Sequence, residues 1–264
     1  MAILNFTGFE TGDSTELVAL TGTSSIQNST VRTGSYALRI NPTTTGTGLA
    51  RLAGFATTGA NSATGFSVAT LYVRFYFRFA TAPASSDEEF AKFLTGGGGN
   101  KLFMRLNSSG NIVVYNTTPA VVGTGTTALS ANTWYLIEAY CGTGSGSTVA
   151  YEVKINGSVE LTGTGTFGAT NNGQLALGKG TDRNSQTVDF FYDDVCLDDS
   201  AYPGASQCSA LTFDSNGNYQ TFTIGAGSGS HYQVVDELPN NGVTDYLVST
   251  ATSGNAETEG CISG

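Results

Sequence analysis

The sequence predicts an all-β protein, an antiparallel sandwich of two sheets followed by a short β-rich C-terminal segment. Three observations predict it. Leu71, Val73, Phe75, Phe77 and Phe79 alternate with Tyr72, Arg74, Tyr76 and Arg78, the period of a half-buried strand. Further apolar stretches recur at roughly ten-residue spacing between Gly, Ser and Thr turn clusters. The chain has 35 Gly but only 5 Pro, with 15 Phe and 12 Tyr, which excludes both a collagen and a disordered chain.

Taken in order, Leu71–Phe79 is the clearest strand. Ser86–Leu94 is open between a helix and a strand. Ser86 and Glu89 have capping-box spacing, but Phe90 and Phe93 do not settle the period. Lys101–Leu106 sets Leu102, Met104 and Leu106 against Lys101, Phe103 and Arg105. Ser109-Gly110 then turns into Ile112–Tyr115. Trp134–Tyr140 follows, and Trp134 is expected in the core. Val149, Tyr151, Val153 and Ile155 share one face of a strand that meets Asn156-Gly157. That pair suits a type I′ hairpin, with Val159 and Leu161 returning. Val188–Leu197 closes the series. Thr43–Gly48, Gly96–Gly99, Gly123–Thr127 and Gly142–Ser147 are expected loops.

Composition shifts after Leu197. Asp198–Gly204 has the character of a turn or linker, which divides the chain into a domain over 1–200 and a β-rich segment over 201–264. Strands are expected in that segment at Gln220–Ile224, His231–Val235 and Asp245–Ser249. It is too small for an independent core and is expected to dock elsewhere. The chain ends at Gly264 with no stopping element, consistent with a longer protein.

The net charge is −10 and the 11 basic residues form no cluster, which argues against nucleic acid as a partner. No apolar run is long enough to insert in a membrane, and the N-terminus has no signal-peptide pattern. A Thr/Gly/Ser-rich, Lys-poor chain without an export signal suits a virion protein made in the host cytoplasm. An extracellular protein is the alternative. Cys141, Cys196, Cys208 and Cys261 lack zinc spacing, and His231 is the single histidine. Each cysteine is expected to be a small buried hydrophobe or half of a disulfide, with Cys141 and Cys196 as one guess at a pair.

Five local patterns carry a resemblance. They are Phe9–Gly12, Gly34–Ile40, Ala131–Glu138, Val153–Gly157 and Phe191–Leu197. In this order they resemble the concanavalin A-like lectin/glucanase superfamily in its laminin G-like form, over about residues 3 to 200. The resemblance implies a two-sheet antiparallel jelly-roll sandwich. The tail, with Phe213–Asn218, Tyr232–Glu237 and Thr244–Tyr246, resembles segments that follow such jelly rolls in tailed-bacteriophage structural proteins. Those usually carry Pro and Trp around the Asp-Gly turn, whereas Phe213 and Phe222 stand near those places here.

The glucanases of the superfamily use a Glu-x-Asp-x-x-Glu-like run, and none occurs. Asp193 and Asp194 are neighbours and are expected on opposite faces of a strand. No Ser-His-Asp set or phosphate loop is present either. The expectation is therefore a non-enzymatic virion structural protein, a capsid decoration or tail-associated subunit contacting other virion proteins or copies of itself. The alternative is a carbohydrate-binding module for surface glycans, and a glucanase-like hydrolase comes third. No cofactor is required. The resemblance implies a place for structural calcium at Glu10, Asp13, Asp193 and Asp194, but solvated or turn-capping carboxylates are favoured. Tyr72, Arg74, Tyr76 and Arg78 form an aromatic and cationic stripe. A protein interface ranks first for it, buried packing second and a glycan platform third.

Overall fold

In the computed structural model the described residues are 3–53, 65–144, 149–181 and 186–208, together with four short strands in the tail. They contain no helix, and so none long and apolar enough to cross a membrane. All pairings are antiparallel, and the strands form two large sheets.

Sheet A runs in the order β13 (Ser158–Gly165), β12 (Val149–Ile155), β11 (Tyr135–Cys141), β6 (Leu71–Thr81), β15 (Asp189–Asp198), β4 (Ala37–Ile40) and β3 (Ser24–Gln27), with β1 (Ile3–Thr7) also paired to β15. Sheet B runs β10 (Val121–Thr124), β9 (Ile112–Tyr115), β8 (Asn100–Leu106), β7 (Glu88–Thr95), β14 (Asn172–Lys179), β5 (Gly48–Leu52) and β2 (Ala19–Gly22). In the tail, β16 (Phe213–Ser215) pairs with β19 (Cys261–Ile262), and β17 (Thr223–Ala226) pairs with β18 (Tyr246–Val248). The expected strand at His231–Val235 lies outside the described residues.

The alternation in the sequence sets which side chains meet between the sheets. Leu71, Val73, Phe75, Phe77 and Phe79 of β6 are buried, as are Leu102, Met104 and Leu106 of β8 and Tyr151, Val153 and Ile155 of β12. Phe77 sits at the centre. Its ring stacks on Phe90 at 4.6 Å and meets Phe190 at 5.3 Å and Tyr192 at 5.5 Å. The Tyr192 hydroxyl donates to the Phe90 carbonyl at 2.7 Å, which ties the two sheets through the core.

The Asn156-Gly157 turn has φ of 51° and 81°, as a type I′ hairpin requires, and Ile155 pairs with Ser158 across it. Two local readings needed the structure. Ser86–Leu94 yields β7 and not a helix, because Glu88–Thr95 is clasped between β8 and β14. Trp134 is half-buried and lies outside the core cluster.

Residues Asp193 and Asp194 do not diverge as a regular strand would place them. The register of β15 against β6 shifts between Asp193 and Cys196, and Asp194 has φ of 49°. The bulge turns both carboxylates toward one segment. Asp193 Oδ2 accepts from the backbone N–H of Arg32 at 2.8 Å and of Thr33 at 3.2 Å. Asp194 Oδ2 accepts from Arg32 Nη1 at 2.6 Å and Thr33 Oγ1 at 2.8 Å. The guessed pairing of Cys141 with Cys196 fails for a related reason. Cys141 belongs to the core cluster, Cys196 lies opposite Arg74 on the other face, and both are free thiols.

Candidate functional site

The sandwich presents two outer faces, and they treat charged side chains differently. On sheet A, the predicted stripe is packed beneath later chain. Tyr72 meets Tyr140 at 5.4 Å and Tyr202 at 5.2 Å. Arg74 is buried and donates to the Gly204 carbonyl at 3.3 Å and to the Ser206 hydroxyl. The Tyr76 ring lies under the Arg32 guanidinium at 3.3 Å, and Arg78 donates to Asn132 Oδ1 at 2.7 Å. Residues 199–208 act as a strap here. Tyr202 donates to Glu152 at 2.9 Å, and Gly204 N–H donates to Glu138 at 3.1 Å. Of the stripe, Tyr72 and Arg78 stay half-exposed, while Arg74 and Tyr76 are buried.

The carboxylates suggested for calcium hold turns. Glu10 accepts from Ser35 N–H at 2.8 Å, and Asp13 accepts from Thr15 N–H at 2.9 Å. Asp193 and Asp194 clasp Arg32 and Thr33, and Asp194 also accepts from Cys208 N–H at 2.5 Å. Burial pushes the Asp193 carboxyl up to about 7. Among the described residues, no three His, Cys, Asp or Glu side chains gather into a metal-holding group.

Sheet B carries a different constellation. The register aligns Arg51 of β5, Ala176 of β14, Lys92 of β7, Phe103 of β8 and Tyr115 of β9 in one row across five strands. At a strand spacing of ~4.8 Å that row spans roughly 19 Å. Core residues alternate with it on each strand, so the row faces outward. Beside it, Glu89 and Arg105 are directly opposite each other. Lys92 pairs with Glu89 at 3.1 Å and lies 5.7 Å over the Phe103 ring. Arg105 lies 4.1 Å over the Tyr115 ring and 5.5 Å over Phe103. The Tyr115 hydroxyl donates to Asp87.

Arg105 is 1% exposed, yet its Nε and Nη2 have no hydrogen-bond partner among the described residues. Buried guanidinium donors left unmet are costly, which marks the place as more than packing. Tyr115 is the half-buried member of the group. Burial first, and then its bond to Asp87, push its phenol above the usual range, so the hydroxyl stays protonated near neutral pH. The set therefore offers a cation with unmet donors and a protonated phenol that is backed by a carboxylate and has part of its ring open.

Sequence reasoning did not single out these residues. The alternation of Lys101, Phe103 and Arg105 against the leucines was visible. Its partners on β7 and β9 were not, because cross-strand register is a long-range property.

No family model matches the chain, and no curated protein matches it by sequence. Solved structures do match its shape. The "Cellulose induced protein, Cip1" aligns with a TM-score of 0.58 at 16% identity, over 76% of this chain and 99% of that one. An endo-β-1,4-glucuronan lyase from the fungus Trichoderma reesei aligns with a TM-score of 0.57 at 14% identity, over 74% of this chain and 95% of that one. The fold is thus a two-sheet antiparallel jelly-roll sandwich, shared with these two structures.

The same neighbours correct two expectations. A non-enzymatic virion structural protein does not stand, because these neighbours are a cellulose-induced protein and a polysaccharide lyase, and nothing ties the fold to a particle. The exclusion of an enzyme falls with it. It rested on a missing run of glycosidase carboxylates, and that run is a requirement of hydrolysis alone.

Proposed function

We propose that this chain acts on an acidic polysaccharide, bound across the outer face of sheet B between Arg51 and Tyr115. The observation that carries this is Arg105, a buried guanidinium with two unmet donors stacked on a tyrosine. A carboxylate on a sugar is the ligand type that satisfies such donors in pairs. The half-buried Tyr115 ring adds aromatic surface of the kind that packs against the apolar faces of sugar rings.

The same groups favour β-elimination as the chemistry. In a uronate, a cation on the carboxylate makes the adjacent carbon acid easier to deprotonate. That proton passes to solvent water acting as the base, the glycosidic bond breaks as the ring double bond forms, and the leaving oxygen takes a proton. Tyr115, held protonated and in contact with Arg105 and Asp87, is the group placed to give it. The jelly-roll glucuronan lyase is in keeping with this reading.

The test is incubation of the chain with β-1,4-linked polyglucuronate. Binding is read by affinity electrophoresis, and product by the ultraviolet absorbance of the new unsaturated uronate. Retardation of the wild type is expected, and Arg105→Ala should weaken binding and product formation by roughly a hundredfold. Tyr115→Phe should reduce product far more than it reduces binding. A wild-type chain that neither binds nor cleaves polyuronates refutes the proposal.

A further inference from the structure

The outer face of sheet A holds a second, chemically different cavity. From its geometry we infer that it is a binding site for a neutral oligosaccharide, independent of the acidic-polysaccharide face on sheet B. The cavity has a volume of about 340 Å³ and is lined by Thr70, Tyr72, Tyr140, Thr143 and Val149 with adjoining backbone. That is within the range of small-ligand sites.

Three features point to a sugar. The register puts Tyr72 and Tyr140 directly opposite each other, and both rings are half-buried, with part of their surface open. The rings are held in place from behind. Tyr202 packs edge-on against Tyr72 and 6.1 Å from Tyr140, and is itself fixed by its bond to Glu152 and by Lys154 over its ring at 3.7 Å. A preorganised aromatic surface loses little entropy on binding. Finally, the two tyrosine hydroxyls make no hydrogen bond among the described residues, and Thr70 and Thr143 line the same cavity. Mixed ring and hydroxyl surfaces match the mixed faces of a pyranose.

The charge around the cavity selects against uronates. Among the described residues, no cationic side chain lines it. Glu152 stands directly opposite Tyr140 in register. Burial, and after it the Glu152 carboxylate and Tyr72, push the Tyr140 phenol upward, so a negative charge is felt at the wall. Glu152 is paired with Lys154 at 3.6 Å, so an anionic sugar finds no spare cation among the lining residues here, whereas Arg105 favours it on sheet B.

The experiment is calorimetric titration of the full chain with cellohexaose, a neutral β-1,4-glucose hexamer, and in parallel with hexaglucuronate. Cellohexaose is expected to bind. Tyr140→Ala should weaken it at least tenfold, as should Ala150→Phe, which fills the cavity from an exposed position while both tyrosines are kept. Arg105→Ala should leave cellohexaose binding unchanged. Absence of cellohexaose binding by the wild type overturns the inference. So does binding that survives Ala150→Phe, or binding that is lost in Arg105→Ala. The hexaglucuronate arm reports on sheet B alone, so failure of one site is distinguishable from failure of the other.

Discussion

Replacing Asp193 by Asn should abolish a pH dependence of stability that the wild-type chain shows between about pH 4 and pH 7. The Asp193 side chain is fully buried at the β15 bulge, and burial raises its carboxyl from 3.8 to about 7. Between those values the native state keeps a proton that the unfolded chain has released. Unfolding then releases a proton, and rising pH favours it. The contribution of this group is therefore complete below about pH 4, falls through the interval and levels off above about pH 7. A shift of about three units at 1.36 kcal/mol each corresponds to a loss of about 4 kcal/mol over the window. The assay is urea unfolding of both proteins at intervals from about pH 4 to pH 8. Other titrating groups are common to the two proteins and cancel in the difference. The stability of wild type relative to Asp193→Asn should fall by about 4 kcal/mol from the acid end to the alkaline end. A constant difference would refute the reasoning. A difference that rises with pH would show that the N–H donors of Arg32, Thr33 and Asp194 outweigh burial and hold the carboxylate ionised.

Three further outcomes are expected. Phe77→Ala removes a fully buried ring that stacks on Phe90 and should lower stability by about 3–5 kcal/mol in the same urea assay; a loss below ~1 kcal/mol would mean the core collapses around the gap. Gly157→Ala should cost about 1 kcal/mol, because φ is +81° but a Cβ there meets nothing. Gly22→Ala should cost about 2 kcal/mol more, because its Cβ would fall 2.1 Å from the Thr47 carbonyl oxygen, and equal thermal midpoints for the two variants would contradict this. Arg74→Ala should free the strap at Gly204 and Ser206 and raise the rate of proteolytic cleavage within residues 199–208, while an unchanged digestion pattern would show that Tyr202 and Asp194 suffice to hold it.

Local patterns made much of the sandwich legible. The alternation of Leu71–Phe79 named the core face of β6 correctly, because a strand buried on one side has a period of two whatever it pairs with. Asn156-Gly157 named its hairpin because few residue pairs accept two positive φ angles. What escaped depends on partners far away in sequence. Ser86–Leu94 carries capping-box spacing at Ser86 and Glu89, yet neighbours on both sides make Glu88–Thr95 a strand. Asp193 and Asp194 converge only because a bulge interrupts β15, and no spacing rule reveals a bulge. Tyr72, Arg74, Tyr76 and Arg78 form a continuous stripe in sequence, but Arg74 and Tyr76 lie under chain more than a hundred residues later or some forty residues earlier. Lys92, Arg105 and Tyr115 lie on three strands, and only cross-strand register makes them one group.

The contrast between the two faces is what supports the proposed acidic-polysaccharide site. A net charge of −10 gives no general attraction for an anionic polymer, so recognition depends on particular cations with capacity to spare. On the sheet A side, arginines have acceptors within the protein. Arg32 pairs with Asp194, Arg39 is bidentate on Asp189, Arg74 holds Gly204 and Ser206, and Arg78 holds Asn132. Of its buried donors Arg74 leaves only Nε unmet among the described residues, and that side chain lies buried beneath the strap it holds. Arg105 on sheet B is buried with two donors unmet. Nothing in folding is gained by leaving them so, since a leucine in its place would remove the penalty. The arrangement makes physical sense when a ligand carboxylate completes it. Arg105→Leu should then give a chain more stable than the wild type and unable to bind polyglucuronate. Loss of stability together with unchanged binding would assign the guanidinium to the fold and remove it from the site.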